Sequence, residues 1–167
     1  RLASDLRPVP RGALGRLLFF VLIPGLVLSA AMILFGHGPR PDLATAIHLP
    51  AFWVKSIYPL ALTVIGITAL MVVARPGGRP RMAGLASLAI YLVLVALGMW
   101  QLRVAPAEDY PRLIFGISAW ICPFIIVAAA LPVFAVIVFF LRRSAPTNLP
   151  LAGLIAGLVA GSGGAWT

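Results

Sequence analysis

The chain has 167 residues, of which 62% are hydrophobic and only 10% are charged, and its mean hydropathy is +1.07. So little charge in so long a chain excludes an ordinary soluble domain. The formal net charge of +9 would suit a nucleic-acid partner, but the basic residues are confined to the ends of apolar stretches, where membrane proteins carry them. We therefore expect no direct contact with nucleic acid.

Five stretches without Asp, Glu, Lys or Arg follow one another along the chain. A bilayer core about 30 Å thick needs roughly 20 apolar residues in helical conformation. Helices satisfy their own backbone hydrogen bonds in lipid, which an open sheet cannot do. The sequence therefore predicts an all-α, polytopic transmembrane bundle in a lipid bilayer, with these spans: 17–35, 56–74, 82–102, 113–141 and 149–167.

Residues 1–16 are predicted to form a polar approach to the bundle, which occupies residues 17–167. The first apolar stretch has no small-residue cleavage site, so we interpret it as a permanent span and not as a signal peptide. The chain begins with Arg1 and ends within an apolar run at Thr167, which indicates a fragment of a longer protein.

The basic residues are distributed unequally between the two sides of the predicted spans. Positive charge is typically retained on the cytoplasmic side, so the N-terminus is predicted to be cytoplasmic. Nine basic residues fall on the side of the N-terminus: Arg1, Arg7, Arg11, Arg16, Arg75, Arg79, Arg81, Arg142 and Arg143. Four fall on the other side: Arg40, Lys55, Arg103 and Arg112.

The fourth stretch is long for a single span, about 43 Å as a straight helix, and too short for two spans and a turn. We expect one span whose excess length is absorbed by tilt, by an interfacial start or by kinks, for which Pro123 and Pro132 are the candidates. On this prediction Cys122 lies several residues inside the span, in the outer half of the bilayer.

Cys122 is the single cysteine of the chain. One interpretation is a small buried apolar residue. The other is a sensor thiol that transiently binds a heavy-metal ion, although soft metals require further sulfur or nitrogen ligands. His37 and His48 are predicted on the same side, in a loop where histidines are commonly only solvated. No resident cofactor is expected.

The fifth stretch contains glycines four residues apart, Gly153, Gly157 and Gly161. Glycines at this spacing line one helix face and allow another backbone to approach closely. We expect this face to pack within the same chain, while a homo-oligomer remains an alternative. Gly163 and Gly164 are expected to loosen the end of the helix.

No catalytic arrangement of residues is recognisable, so the protein is not expected to be an enzyme. A small transporter or channel would need polar groups along a path, and the spans offer mainly hydroxyls such as Ser29, Thr63 and Thr68. A scaffold subunit that binds another membrane protein through the glycine face is a further alternative.

Several segments together resemble a known family. These are "LASDLRPV" before the first span, "FWVK" at the second, "WICPFIIVAAALPVFAVIVFFLRRSAPTNLPLAGLIAGLVAG" across the fourth and fifth, and "GGAW" near the end. They are similar to NrsF-type proteins, negative regulators of extracytoplasmic-function sigma factors in bacteria. The resemblance covers most of the chain, and its specific part is the Cys-Pro pair, the second proline and the connector after the fourth span.

The resemblance implies a six-span inner-membrane anti-sigma factor whose cytoplasmic N-terminal segment holds the sigma factor away from RNA polymerase. It also implies a second cysteine after the fifth span, beyond Thr167, which with Cys122 senses heavy-metal or oxidative stress. Candidate sigma contacts in this chain are Asp5, Leu6, Arg7 and Arg11. The arginines are also of the kind that anchor lipid headgroups beside a span.

Overall fold

Five long helices and three short helical segments make up the computed structural model, which describes residues 13–38, 43–115, 121–144 and 146–166. The long helices are α1 (Ala13–His37), α3 (Pro50–Val73), α4 (Arg81–Val104), α6 (Cys122–Arg142) and α7 (Leu149–Trp166). The short segments are α2 (Leu43–Ala46), a 3₁₀ turn (Ala107–Asp109) and α5 (Tyr110–Phe115). Each long helix is long and apolar enough to cross a membrane, so the expectation of five such helices is confirmed.

Residues that favour helix starts and turns are found at several helix boundaries. Pro50 starts α3, because the first turn of a helix has no intrahelical use for the N–H that proline lacks. The turn between α3 and α4 contains Gly77 at a φ of 75°, a left-handed conformation that glycine adopts without strain. Asn148 caps α7 by accepting a hydrogen bond from the Leu151 N–H at 3.0 Å.

The fourth predicted span differs from the structure at its start. α6 begins at Cys122, with Ile121 as its N-cap, and has 21 residues, about 32 Å in length. α6 therefore covers only the later part of the predicted span 113–141, and the short helix α5 covers its first residues. Pro123 lies in the first turn and starts the helix, so it produces no kink, whereas Pro132 does lie inside α6.

The packing order places α7 at the centre of the bundle. α7 packs between α6 and α3, α1 packs on the other side of α6, and α4 packs mainly against α3 within the described residues. No residue of α4 is buried. The hydrophobic core lies in the half of the bundle that adjoins the α3–α4 turn and the α6–α7 connector. Its centre is formed by Leu70, Ile137, Phe140 and Val159.

The two ends of the bundle differ in charge. Alternating helix directions bring the start of α1, the α3–α4 turn and the α6–α7 connector to one end, which we call the basic end. It carries Arg16, Arg75, Arg79, Arg81, Arg142 and Arg143, and within the described residues it has no Asp or Glu. The opposite end carries Lys55, Arg103, Glu108, Asp109 and Arg112.

Candidate functional site

Cys122 lies at the end of the bundle opposite the basic end. It is the first residue of α6 and its side chain is exposed. The sequence placed it several residues inside a predicted span, whereas α6 begins at Cys122 itself. The thiol is therefore not enclosed by the described helices, as a buried packing residue would be.

A metal ion at Cys122 would need ligands that the described residues do not supply. The chain contains one cysteine, and the part that the structure describes has no group of three or more His, Cys, Asp or Glu residues able to hold a metal. Soft metal ions require at least a second sulfur or nitrogen donor. Any such site therefore depends on groups outside the described residues.

The α6–α7 interface is made by a small-residue face of α7 other than the expected one. A Cβ added to Gly164 would lie 2.7 Å from the backbone nitrogen of Ala130, so the two backbones are in contact there. Ala152, Ala156 and Ala160 are buried on α7, and the helix continues through Gly164 to Trp166. Gly163 and Gly164 thus pack the end of α7 tightly and do not loosen it.

The Gly153, Gly157 and Gly161 face does not make the intramolecular contact that the spacing suggested. A Cβ at any of the three would meet no atom within 4 Å of the described structure. Gly153 and Gly157 are exposed. This expectation is corrected, because the alanine row one residue earlier along α7 is the row that faces α6 and α3.

Two hydrogen bonds from buried hydroxyls join helices across the bundle. Ser29 of α1 donates a hydrogen bond of 2.7 Å to the carbonyl oxygen of Ala129 in α6. Nearby, a Cβ on Gly25 would lie 3.4 Å from the Cα of Val133. Pro132 lies inside α6 and leaves the adjacent carbonyl, that of Ala128, without its usual helical donor.

The second tie joins α3 to α7. Thr63 donates to the hydroxyl oxygen of Ser162 at 2.9 Å, and Ser162 donates to the carbonyl oxygen of Leu158 at 2.7 Å. One turn away, Gly66 faces Val159, where an added Cβ would lie 2.6 Å from a methyl carbon. Sequence reasoning missed these contacts, because isolated Ser, Thr and Gly residues in apolar helices do not indicate their partners.

At the basic end, the two connectors touch one another. The Gly77 N–H donates a hydrogen bond of 3.2 Å to the hydroxyl of Thr147. This bond fixes the α3–α4 turn against the α6–α7 connector. Arg142 lines a groove between α6 and α7, whereas Arg143 lies over the ring of Phe139, with 4.7 Å from guanidinium carbon to ring centroid. The candidate sigma contacts Asp5, Leu6, Arg7 and Arg11 lie outside the described residues.

Comparison with known proteins decides the family. The family model described as "Negative regulator of sigma F" matches residues 2–167. The chain belongs to the NrsF family. A probable anti-sigma-F factor NrsF from Azospira oryzae is 36% identical over 128 residues, which are 74% of this chain and 58% of that protein. The anti-sigma-F factor NrsF from Caulobacter vibrioides is 34% identical over 143 residues, 84% of this chain and 67% of that protein.

The NrsF relatives are longer than this chain, which matches about three fifths to two thirds of their length. No solved structure matches the chain. The family is named for negative regulation of a sigma factor, which is a regulatory and not a catalytic role. The resemblance deduced from the Cys-Pro pair and the following connector is thus confirmed.

Proposed function

We propose that this NrsF-family protein is an integral anti-sigma factor of the bacterial inner membrane. It holds an extracytoplasmic-function sigma factor away from RNA polymerase and releases it on a metal or oxidative signal. The observation that carries the proposal is the family match over residues 2–167, and the anti-sigma names of the two relatives support it. The five apolar helices support the membrane location.

The proposed orientation places the basic end in the cytoplasm. Its six arginines have no acidic residue beside them in the described ranges, as the positive-inside rule favours. α1 begins at this end, so the segment that contains Asp5, Leu6, Arg7 and Arg11 would meet the sigma factor there. Cys122, at the opposite end, would face the periplasm.

The packing of α6 against α1 offers a route for the signal. α6 begins at Cys122, and its middle holds α1 through the Ser29 hydrogen bond to Ala129 and the close approach of Gly25. Ligation or oxidation of the Cys122 thiol would shift the start of α6. That shift would move α1, and α1 leads directly into the proposed sigma-binding segment. The bistable element is then the α1–α6 pair.

Co-purification tests the anti-sigma activity. The full-length protein is expressed with the tagged sigma factor encoded nearest to it and purified in detergent. We expect the two to co-purify, and we expect a form lacking the residues before Leu17 to lose the sigma factor while remaining in the membrane fraction. Failure to bind any extracytoplasmic-function sigma factor of the host would contradict the proposal.

A transcriptional reporter tests the sensing step in the full-length protein. Cys122→Ser is expected to abolish induction by metal or oxidant while repression persists. Ser29→Ala is expected to weaken induction, because it removes the tie between α1 and α6. The matched control is Ser87→Ala on α4, a helix with no buried residue. Unchanged induction in Cys122→Ser would show that the signal enters elsewhere.

A further inference from the structure

A groove opens at the basic end, between the last turns of α6 and the first turns of α7. It has a volume of about 480 Å³. Val138, Leu141, Leu149 and Gly153 form its apolar walls, and Arg142 and Ser144 form its polar end. The groove is therefore amphipathic along its length, with its charge at the end of the bundle.

Gly153 of α7 lines this groove and contributes no side chain to it. An added Cβ at Gly153 would meet no atom within 4 Å, and the same holds for Gly157, which lies one turn further along the same face. Each such step adds about 6 Å along the helix axis. The exposed glycine face of α7 therefore continues from the groove at Gly153 past Gly157, toward the middle of the bundle.

The polar end of the groove is positive. Arg142 ends α6, and the positive N-terminal end of the α7 dipole opens at the same place. Ser144 already donates its hydroxyl hydrogen to the Phe140 carbonyl at 3.0 Å, so the guanidinium supplies the charged donors. The nearby arginines Arg75, Arg79 and Arg81 raise the potential further, and the described residues of this end contribute no carboxylate.

We propose that this groove binds one anionic phospholipid, with its phosphate on Arg142 and an acyl chain along Gly153 and Gly157. A guanidinium matches phosphate oxygens bidentately, and a smooth glycine surface accepts a hydrocarbon chain. A free phosphate would leave the apolar walls unused. The inference goes beyond the anti-sigma activity and depends only on the membrane location.

Native mass spectrometry of the full-length protein in detergent measures the bound lipid. The probes are phosphatidylglycerol and phosphatidylcholine with identical acyl chains, and glycerol phosphate as the soluble headgroup. We expect phosphatidylglycerol to bind about tenfold more tightly than phosphatidylcholine, a difference of about 1.4 kcal/mol. Glycerol phosphate is expected not to compete at equal concentration, because it lacks the acyl chain.

Two matched pairs of variants locate the site. Arg142→Gln is expected to lower phosphatidylglycerol affinity about tenfold, whereas Arg143→Gln, whose arginine lies over Phe139, changes it less than about threefold. Gly153→Leu is expected to fill the groove and abolish binding of both lipids. Its control is Gly84→Leu. Gly84 is an exposed glycine of α4 at the basic end of the bundle, and an added Cβ there also meets no atom within 4 Å.

Several results would overturn the inference. If Arg142→Gln and Arg143→Gln lowered the phosphatidylglycerol affinity equally, the result would show only a general attraction of the six arginines for acidic lipid. A dimer that Gly153→Leu dissociates would assign the groove to a second copy of the chain. Loss of sigma co-purification in Arg142→Gln with lipid binding unchanged would make the groove a protein-docking surface. No lipid preference in a protein that still binds its sigma factor would overturn this inference alone.

Discussion

The hydroxyl of Thr63 donates to the hydroxyl of Ser162 at 2.9 Å, and this bond joins α3 to the central helix α7. Both residues are buried. The Ser162 hydroxyl in turn donates a hydrogen bond to the Leu158 carbonyl. The two consecutive hydrogen bonds therefore run from Thr63 to the α7 backbone. In an apolar environment a hydrogen bond between two helices favours the pairing of the faces that carry its donor and acceptor.

Removing this tie should destabilise the bundle modestly. We expect Ser162→Ala and Thr63→Val to show a coupling of about 0.6 kcal/mol in a double-mutant cycle, the average for interhelical hydrogen bonds in membrane proteins. Thr63 can still bond the Pro59 carbonyl of its own helix, which limits the loss. Unfolding in a denaturing detergent titration measures the free energies.

The control for the Thr63 variant is Thr68→Val on the same helix. Thr68 is exposed and donates to the Ile65 carbonyl of its own helix, so its replacement should change the unfolding free energy by less than about 0.3 kcal/mol. A coupling near zero between Ser162 and Thr63 would mean that α3 and α7 are held by van der Waals contact alone.

A single methyl group should distinguish the two small-residue faces of α7. Gly164→Ala would place a Cβ 2.7 Å from the Ala130 nitrogen and 3.0 Å from its Cα, and backbone cannot move aside as a side chain can. We expect a loss of about 1–3 kcal/mol. Gly157→Ala, with no atom within 4 Å, should be neutral or stabilise by up to about 1 kcal/mol. The same unfolding titration compares them.

Equal effects of Gly164→Ala and Gly157→Ala would contradict the assignment of the α6–α7 contact to the alanine and Gly164 face. A stronger effect of Gly157→Ala would restore the glycine spacing as the main packing signal. Circular dichroism of each variant shows whether helix content is retained, so that a loss of packing is separated from a loss of helix.

The sequence predicts the long apolar helices from the length of its apolar stretches. It does not predict which face of each helix packs against its neighbours. The five long helices and the proline- and glycine-bearing turn at Gly77 followed from composition and turn chemistry. Which face of α7 packs did not follow, because the helix is apolar on every side and carries two adjacent rows of small residues. Gly153 and Ala152 differ by about 100° around the axis, and no polar face distinguishes them.

The start of α6 was also missed, although the sequence contained a signal for it. Residues 113–121 are as free of acidic and basic side chains as the span itself, so hydropathy placed Cys122 inside. Pro123 in the first turn was the clue, since proline is favoured there and disfavoured in helix interiors. The Ser29 and Thr63 contacts required the structure, because a lone hydroxyl can equally bond its own helix.

Two adjacent phenylalanines provide a test of the core at the basic end. Phe140 is fully buried in the central cluster, whereas Phe139 is half exposed beneath Arg143. In a membrane-embedded bundle the cavity term dominates, because lipid solvates an exposed ring as well as the core does. We expect Phe140→Ala to cost about 2 kcal/mol and Phe139→Ala about 0.5–1 kcal/mol, the latter from the lost cation–π contact.

The two phenylalanine variants are compared by detergent-induced unfolding at constant protein concentration. Arg143→Gln provides the reference for Phe139→Ala, since both remove the same contact and should not be additive. If Phe139→Ala and Phe140→Ala lowered the unfolding free energy equally, α6 would have to be rotated about its axis relative to the described packing.

The exposed position of Cys122 predicts its reactivity in cells. In a full-length protein whose other cysteines are replaced by serine, Cys122 should react with a membrane-impermeant maleimide added to intact spheroplasts. The physical reason is that α6 begins at this residue and the thiol is not covered by neighbouring helices. Gel-shift of the labelled protein gives the fraction modified.

The matched control moves the single thiol to the other end of α6. Ser144→Cys in a Cys122→Ser background places it in the α6–α7 connector at the basic end, where the reagent should reach it only after the membrane is opened. Labelling of Ser144→Cys in intact spheroplasts, with Cys122 protected, would invert the proposed orientation. Protection of both thiols would place Cys122 within the bilayer, where a water-borne metal ion or oxidant could not reach it directly, and the sensing role would then require a signal carried by lipid or by another protein.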